Sequence, residues 1–452
     1  MTHFPVLTHP NDDTPVAYRQ GQPVRRATFL AHVDAVARAL PPGGHLLNAC
    51  ADRYHFAVTL VAGMVCQRIN LLPSAYTPEG VRQMRQFAPD AFLVTDAGVE
   101  AIDALPHMAF PDLDPDAHRD GEVPSLPAEQ RIAWVFTSGT TGAPVPHLKT
   151  WGKLVANVRA AAGQLGVASP TGTPFTLLGT VPPQHMYGFE STLLLALQAG
   201  GAFCADRAFF PAEIAGQLAA LPRPRLLVST PYHLRNVLRA QIPLPAADLL
   251  LSATAPLPEE LAREAETAFG AALMEIYGST ETGQIATRRT TDGPHWQLFP
   301  DIRLEARDDA TWASGGHIEV PVPLGDRIEQ GDGGRFGLLG RNADLINIAG
   351  KRSSLAYLDR QLQSIDGVVD GAFHLPESDD ETLARLSAFV VAPQRSAAEI
   401  LAALRQRIDP LFLPRPLILL EHLPRNATGK LPQEVRNRLL AAAGPARGHA
   451  SP

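Results

Sequence analysis

The sequence has little cysteine, no strong excess of charge and no long apolar run, and each absence excludes a class of protein. Its three cysteines, Cys50, Cys66 and Cys204, have no paired spacing, which excludes a disulfide framework and a cysteine-based zinc site. A net charge of −7 with a pI near 6.1 argues against a general nucleic-acid binder. The longest apolar segment, near residues 193–204, is too short to span a bilayer and contains glycine and glutamine.

The N-terminus has no basic start followed by an apolar core, so no secretory signal is visible. We therefore expect a cytoplasmic protein with no membrane insertion and no nucleic-acid partner. With 452 residues, of which 45% are hydrophobic, the chain can bury a large core and divide into two or more domains.

Apolar stretches of helical pattern, such as residues 151–162 and 191–198, alternate with strand-like stretches, such as residues 225–229 and 249–251. This alternation predicts an α/β fold with parallel-rich sheets. Residues 300–340 are richer in β-formers, glycine and charge, and predict a small β subdomain. The remainder mixes short strands and helices after a Gly-Arg pair. We expect a large N-terminal domain of layered sheets with helices over residues 1–340, and a small α+β C-terminal domain over residues 341–452.

A run rich in hydroxyls and glycine follows a strand-like stretch at residues 132–136; it comprises Thr137, Ser138, Gly139, Thr140, Thr141 and Gly142. Glycines let several backbone N–H groups point into one concavity, and hydroxyls add donors, which suits a phosphate. A plain surface turn has the same composition. Whether this run binds phosphate therefore depends on whether other segments supply the rest of a nucleotide site.

Two further segments follow predicted strands. Residues 182–189 contain His185 and Gly188 and are compatible with a substrate site, although a turn with an incidental histidine fits equally. Residues 252–256 have small side chains that would let a flat ring approach the backbone. A simple strand-to-helix turn is the alternative there.

Two later segments add an aromatic ring, a carboxylate and a cation. In residues 276–281, Tyr277 could stack on a base, Thr280 could meet phosphate, and Glu281 could hold Mg²⁺; a surface turn is the alternative. Near the C-terminus, Lys430 follows a glycine and could supply a cation. The alternative is that Lys430 is a solvated surface lysine with no role in the site. The P-loop fingerprint and the serine-hydrolase elbow are absent from the sequence.

Taken in order, these segments resemble the acyl-adenylate-forming (AMP-binding) superfamily of acyl- and aryl-CoA synthetases, nonribosomal peptide adenylation domains and beetle luciferases. The resemblance extends from about Ala27 to Leu440. It implies an acyl-/aryl-CoA synthetase-like, AMP-forming acid–thiol ligase that uses ATP and Mg²⁺. The implied acceptor is coenzyme A or the phosphopantetheine of an acyl carrier protein. It also implies that residues 341–452 form a mobile lid that carries the adenylation lysine.

The resemblance assigns roles residue by residue. Asp326 lies 15 positions before Arg341, as the family's ribose-binding Asp lies before its Gly-Arg motif. The implied nucleotide-binding positions are Thr137, Ser138, Gly139, Thr140, Thr141, Gly142, Ser252, Ala253, Thr254, Ala255, Tyr277, Gly278, Asp326 and Arg341. The implied catalytic positions are His185, Thr280, Glu281 and Lys430, with Glu281 also the Mg²⁺ ligand. The implied substrate positions are His185, Tyr187, Gly188, Phe189 and Gly278.

The sequence departs from the family pattern at two places. Val145 stands where the phosphate loop usually has lysine, so that cation is missing or is replaced by Lys149 or Lys153. Ala343 stands at a hinge position that is usually Asp or Lys. These departures leave a catalytically weakened nucleotide- or acid-binding homologue as an alternative to an active ligase.

The segment that follows His185 bears on the identity of the acid. Amino-acid-activating relatives place an Asp there to pair with the substrate ammonium, whereas residues 187–191 contain no Asp and only Glu190 could imitate it. We therefore expect a small carboxylic acid without an α-amine, aryl or fatty. The continuation of the phosphate loop at residues 144–147 resembles stand-alone ligases of bacterial aryl-polyene pathways. A stand-alone amino-acid adenylation domain is the alternative.

Overall fold

The computed structural model describes the chain except for residues 74–75, 77, 97–104, 139–143, 168–173, 308–309, 342–344, 349–350, 377–385, 409, 427–428 and 443–452. Contacts divide the chain into two compact units. Unit 1 comprises Met1–Glu305, Trp312–Val322 and Asp332–Arg335. Unit 2 comprises Ala306–Thr311, Pro323–Gly331 and Phe336–Pro452. The predicted boundary between residues 340 and 341 stays a prediction.

The strands of the first half of the chain are β1 (His3–Pro5), β2 (Pro15–Arg19), β3 (Gln22–Arg25), β4 (His45–Asn48), β5 (Ile69–Leu72), β6 (Ala91–Thr95), β7 (His107–Ala109), β8 (Ser125–Pro127), β9 (Arg131–Ser138), β10 (Pro144–Thr150), β11 (Thr176–Gly179), β12 (Ala202–Cys204) and β13 (Arg225–Ser229). Those of the second half are β14 (Leu249–Ser252), β15 (Ala272–Ser279), β16 (Gly283–Arg289), β17 (Trp296–Leu298), β18 (Ile302–Arg307), β19 (Ala310–Gly315), β20 (Val322–Pro323), β21 (Asp326–Gln330), β22 (Arg335–Arg341), β23 (Leu345–Ile348), β24 (Lys351–Ser354), β25 (Asp370–His374), β26 (Ser387–Val391) and β27 (Leu417–Leu419).

The α-helices are α1 (Arg26–Ala39), α2 (Arg53–Val65), α3 (Pro78–Phe87), α4 (Trp151–Gln164), α5 (Met186–Gly188), α6 (Leu195–Ala199), α7 (Pro211–Ala220), α8 (Pro231–Arg239), α9 (Glu259–Phe269), α10 (Leu355–Gln363), α11 (Ala397–Arg405) and α12 (Gln433–Ala442). A π-helix, Phe189–Leu194, separates α5 from α6, and 3₁₀ turns occupy Thr290–Asp292, Asp332–Gly334 and Pro410–Phe412. No helix in the described part of the chain is both long and apolar enough to cross a bilayer.

Unit 1 contains two large sheets. The first has the strand order β17-β16-β15-β14-β13-β11-β12-β2-β3, with β12, β11, β13, β14 and β15 parallel and β16 antiparallel to β15. The second has the order β10-β9-β5-β4-β6-β7, parallel except for the antiparallel pair of β10 and β9. The central strands are almost continuously apolar, as Leu226–Val228 and Leu249–Leu251 illustrate, because helices cover both faces of a parallel sheet.

Unit 2 has its own apolar core, which includes Leu358, Phe373, Val390, Ile400 and Leu404. Its main sheet has the order β25-β26-β27, with β25 antiparallel and β27 parallel to β26. Strands together with α10, α11 and α12 make this unit α+β. The predicted fold class, a layered α/β body with a small α+β unit, is confirmed.

The helix predicted near residues 191–198 is longer and less regular in the structure. The observed helical segment begins at Met186 and contains a π-helical turn before α6. The Thr192 hydroxyl donates to the Gly188 carbonyl oxygen within this stretch, which competes with the regular backbone ladder. Such wide turns are frequent at functional sites, and this one directly follows the predicted substrate segment.

Candidate active site

Three predicted site segments of unit 1, those that contain His185, Ser252 and Tyr277, lie at strands of the larger sheet, whereas the predicted phosphate loop begins in β9 of the second sheet. Strands β11, β13, β14 and β15 lie side by side in parallel. Ser229, the last residue of β13, is paired with Ser252, the last residue of β14, and Ser252 is paired with Glu275 within β15. Ligands of open α/β sheets bind at this edge. Parallel pairing therefore brings together segments that lie far apart in the sequence.

A buried arginine orders one part of this edge. Arg53, the first residue of α2, is 7% exposed. Its guanidinium donates to the carbonyl oxygens of Cys204 at 2.9 Å, Gly179 at 2.8 Å and Val181 at 3.2 Å. It therefore ties together the carboxyl ends of β11 and β12, immediately before the segment that contains His185.

That segment is tightly packed. His185 occupies the N-cap position of α5. A side chain at Gly188 would overlap the carbonyl oxygen of Pro182, so the glycine allows the helix to pack against the preceding turn. The Tyr187 hydroxyl oxygen is buried, and burial raises the pKa of Tyr187 well above its ordinary value. Phe189 is fully buried in the core, so its packing alone accounts for an apolar residue there.

The loop that follows β14 holds the positions assigned to the adenine. Ser252 is fully buried, and among the described residues its hydroxyl has no hydrogen-bond partner. Thr254 has a φ of 78°, which is costly for a residue with a branched side chain. Ala253 is 8% exposed. The turn is therefore strained and has small neighbouring side chains, and its contact with an adenine ring stays a prediction.

The Tyr277–Glu281 segment is the end of a hairpin between β15 and β16. Ser279 is paired with Gly283, and the Ser279 backbone N–H donates to the Thr282 hydroxyl at 3.0 Å. A Cβ atom at Gly278 would overlap the Gly283 carbonyl oxygen, so only glycine permits this close approach. The hairpin turn therefore carries Thr280 and Glu281. On the preceding strand, the Tyr277 ring lies 5.5 Å from that of Trp296.

Strand β10 contacts Glu281 twice. The His147 Nε2 atom lies 3.5 Å from the Glu281 carboxylate and 3.0 Å from the Thr137 hydroxyl. The Lys149 Nζ atom donates to the main-chain carbonyl oxygen of Glu281 at 3.3 Å. The first residue of the predicted phosphate loop is thus linked through His147 to the predicted Mg²⁺ ligand.

Lys149 projects into a small polar cavity beneath this turn. The cavity is lined mainly by Lys149, Lys153, Asn157, Glu190, His317 and Glu319. Burial lowers the pKa of Lys149, against the charges of Glu190, Glu319 and Glu281. Burial also raises the pKa of Glu190 to about 8, although Lys149 opposes the shift.

Both cavity carboxylates are held by neighbouring groups. The Asn157 amide donates to Glu190 Oε1 at 2.5 Å. The backbone N–H and hydroxyl of Thr150 donate to Glu319 Oε1 at 2.9 and 2.6 Å. The Lys153 amine donates to the Gly316 carbonyl oxygen at 2.9 Å. The cavity is therefore a fixed network of charge and hydrogen bonds.

The chemistry of Glu281 fits Mg²⁺. Its side chain is 37% exposed, and Mg²⁺ is usually bound by one or two carboxylates together with substrate phosphates and water. No group of three or more histidine, cysteine or acidic residues suited to a metal occurs among the described positions. Glu281 would therefore hold the ion together with a phosphorylated substrate.

In unit 2, Asp326 and Arg341 lie directly opposite each other in the antiparallel pair of β21 and β22. The spacing of 15 residues corresponds to a hairpin, which explains how the two assigned nucleotide positions come together. Their role in binding ribose stays a prediction.

Lys430 lies at the end of a small loop in unit 2. The Lys430 backbone N–H donates to Asn426 Oδ1 at 2.9 Å, and Arg425 donates to the Gly429 carbonyl oxygen at 3.1 Å. Arg425 is itself held by a two-point ion pair with Asp370, with both contacts at 2.7 Å. The sequence analysis missed Arg425 and Asp370 because their contact spans 55 residues.

Some predicted positions lie outside the described residues. They are Gly139, Thr140, Thr141 and Gly142, and the hinge position Ala343. The side chains of Ser138 and Arg341 are also outside the description, although both residues end described strands. Their assigned roles stay predictions.

The contacts of His147, Asn157 and Glu319 were not predicted from the sequence. Residues 144–147 resemble the continuation of a loop, whereas they begin strand β10. The signal was the alternation of Val145, His147 and Lys149, which is the period-2 pattern of a strand. Asn157 and Glu319 carry no local signal, because they reach the cavity from separate elements.

Comparisons with known proteins agree with this geometry. A family model described as "AMP-binding enzyme" matches residues 45–333. The chain is 32% identical over 274 residues to a 4-coumarate–CoA ligase of Rhodobacter capsulatus, an alignment that covers 60% of this chain and 66% of that protein. It is 31% identical over 311 residues to a 4-coumarate–CoA ligase of Halorhodospira halophila, which covers 65% and 73% of the two chains.

Among solved structures, the chain is similar to o-succinylbenzoate CoA synthetase of Bacillus subtilis in complex with its acyl-adenylate intermediate. The TM-score is 0.81 at 19% identity, over 97% of this chain and 98% of that one. At this identity the likeness concerns the fold, which extends over almost the whole of both chains.

Proposed function

The chain belongs to the AMP-binding enzyme family, and from that premise we propose that it is an ATP-dependent ligase that activates a carboxylic acid as its acyl-adenylate. The family resemblance drawn from the ordered motifs is confirmed by the same match. One observation carries the proposal. His147 contacts both Glu281, in the hairpin turn, and Thr137, the first residue of the predicted phosphate loop.

The proposed reaction has two steps. The substrate carboxylate attacks the α-phosphorus of ATP, the bond to the β-phosphate oxygen breaks, and pyrophosphate leaves. A thiolate then attacks the carbonyl carbon of the acyl-adenylate and releases AMP. Both reactants of the first step are anions, so the protein mainly has to orient them and neutralise charge.

The proposed roles follow the chemistry of each residue. Glu281 holds Mg²⁺, which would neutralise charge on the leaving pyrophosphate. Thr137 donates its hydroxyl to phosphate. Asp326 accepts from the ribose hydroxyls, with Arg341 as a charge-assisted donor. Lys430 offsets the negative charge of the attacking carboxylate.

Glu190 supports an acid without an α-amine. It accepts a hydrogen bond from Asn157 at 2.5 Å, and it borders the polar cavity together with Lys149. A carboxyl that is fully buried, with its pKa raised to about 8 by burial, is poorly suited to receive a substrate ammonium. This favours an aryl or fatty acid over the amino acid of the alternative reading.

Among these acids we favour an aryl acid. The two relatives compared above are named for 4-coumarate, a hydroxylated aryl acid. Tyr187, on the predicted substrate segment, packs against apolar residues, and its buried hydroxyl would offer a polar group to such a substrate. Coenzyme A is the acceptor that the relatives' names support, and carrier-protein phosphopantetheine is the second candidate.

The substrate is tested by incubating the purified protein with ATP, Mg²⁺ and a panel of acids. The panel contains hydroxycinnamates, hydroxybenzoates, medium-chain fatty acids and amino acids. Coenzyme A and a phosphopantetheinylated carrier protein are offered separately, and thioesters are detected by mass spectrometry. We expect aryl-CoA thioesters with AMP. Thioesters formed only from amino acids would contradict the proposed substrate class.

A further inference from the structure

Resting on the proposed function, we infer that His147 and Lys149 form a two-point clamp on Glu281, one on its carboxylate and one on its main chain. The clamp fixes the turn that holds the metal-binding carboxylate. Lys149 is therefore a positioning residue, in place of a lysine that would touch the nucleotide phosphates.

The clamp follows from the geometry of strand β10. Successive side chains of a strand point to opposite faces, so Val145, His147 and Lys149 share one face. The family position that usually carries lysine is Val145, which is 43% exposed. Lys149 lies four residues further along the same face, about 13 Å away. The lysine of this strand thus lies at the buried side of the turn, and the exposed position has Val145.

The contacts distinguish positioning from phosphate binding. The Lys149 amine donates to the Glu281 carbonyl oxygen at 3.3 Å, while His147 lies 3.5 Å from the carboxylate of the same residue. Lys149 is 6% exposed and lies near the carboxyl groups of Glu190, Glu319 and Glu281. A buried amine that donates to the Glu281 main chain is not available to a nucleotide phosphate.

The rest of the cavity keeps the clamp in place. Thr150, the residue after Lys149, is bonded to Glu319 through both its N–H and its hydroxyl. Asn157 holds Glu190 at 2.5 Å. The strand end behind Lys149 is therefore anchored, and the carboxyl groups near its amine are themselves held by hydrogen bonds.

The test is ATP binding by calorimetry with and without Mg²⁺, on the wild type and the Lys149→Met variant. If Lys149 positions the metal carboxylate, its loss weakens ATP binding about tenfold in the presence of Mg²⁺. Binding without Mg²⁺ stays unchanged. A loss of equal size with and without Mg²⁺, or no loss, would overturn the clamp.

Lys153→Met is the matched control. Lys153 lines the same cavity but donates to the Gly316 carbonyl oxygen, so we expect ATP binding within about twofold of the wild type. A Mg²⁺-dependent loss as large as that of Lys149→Met would contradict the assignment to Lys149, because it would indicate a general effect of cavity charge.

Removing Lys149 alone leaves the buried Glu190 carboxyl without its neighbouring amine and risks misfolding. The double variant Lys149→Met/Glu190→Gln avoids this, and we expect it to melt near the wild-type temperature with the same Mg²⁺-selective loss. Full recovery of Mg²⁺-dependent binding in the double variant would overturn the inference. A wild type that bound no ATP would instead contradict the proposed function, so the two failures are distinguishable.

Discussion

At the scale of single residues, Glu190 is the position where the structure adds most to the sequence. From its residue type and its position after His185, Glu190 could replace the aspartate that pairs with the substrate ammonium in amino-acid-activating relatives. Its partners instead are Asn157 and the polar cavity, which the sequence could not indicate because both depend on tertiary contacts. The same reason explains why the contacts of His147 and Lys149 with Glu281 were not foreseen.

Glu190 should make stability depend on pH. Its pKa is raised from 4.5 to about 8 by burial, so the folded state retains a proton that the unfolded chain has lost. The stability that this proton contributes is complete below pH 4.5 and is lost as the pH rises through about 8. Glu190→Gln keeps an oxygen acceptor for Asn157 and removes the titration.

Urea unfolding at pH 5 and pH 8 measures the effect. Relative to Glu190→Gln, the wild type should lose on the order of 3 kcal/mol of unfolding free energy between the two pH values. A parallel pH dependence in both proteins would contradict a raised pKa at Glu190.

At the scale of elements, strands and helices with strong patterns were predicted correctly. The apolar runs gave β13 and β14, and the predicted helix that begins at Trp151 is α4. Strand β10 and the π-helix were not anticipated. Strand β10 begins with Pro144 and Pro146, which suggest a loop, and the π-helix contains a side-chain hydrogen bond to the backbone that the sequence pattern does not indicate. Local patterns therefore predicted the elements but not the irregularities that shape the site.

The hairpin of β15 and β16 gives a prediction at this scale. Gly278→Ala places a methyl group against the Gly283 carbonyl oxygen, so the turn that carries Glu281 must shift. We expect a loss of about 1–3 kcal/mol in unfolding free energy and weaker ATP binding, measured by urea unfolding and calorimetry.

Gly216→Ala is the control for that change. Gly216 lies in α7, and an added Cβ meets no atom within 4 Å. Alanine there should stabilise the protein by about 0.5–1 kcal/mol and leave ATP binding unaltered. Equal behaviour of the two variants would refute the packing argument at Gly278.

At the scale of the whole molecule, the ordered set of weak motifs predicted the family, and the match over residues 45–333 confirms it. Parallel sheet topology explains why this works, since strand ends that are distant in sequence meet at one edge. The identity of the acid is harder to predict from the sequence, because the acid is selected by side chains that pack together at that edge only in the folded protein. The location of the protein in the cell and the domain boundary stay predictions.

The central claim is that this chain adenylates a carboxylic acid. Exchange of radiolabelled pyrophosphate into ATP, measured with and without an aryl acid, tests it most directly, because it reports the first step alone. We expect exchange that requires both Mg²⁺ and the acid and that Lys430→Ala suppresses. No acid-dependent exchange by the folded wild type, with any acid of the panel, would contradict the claim.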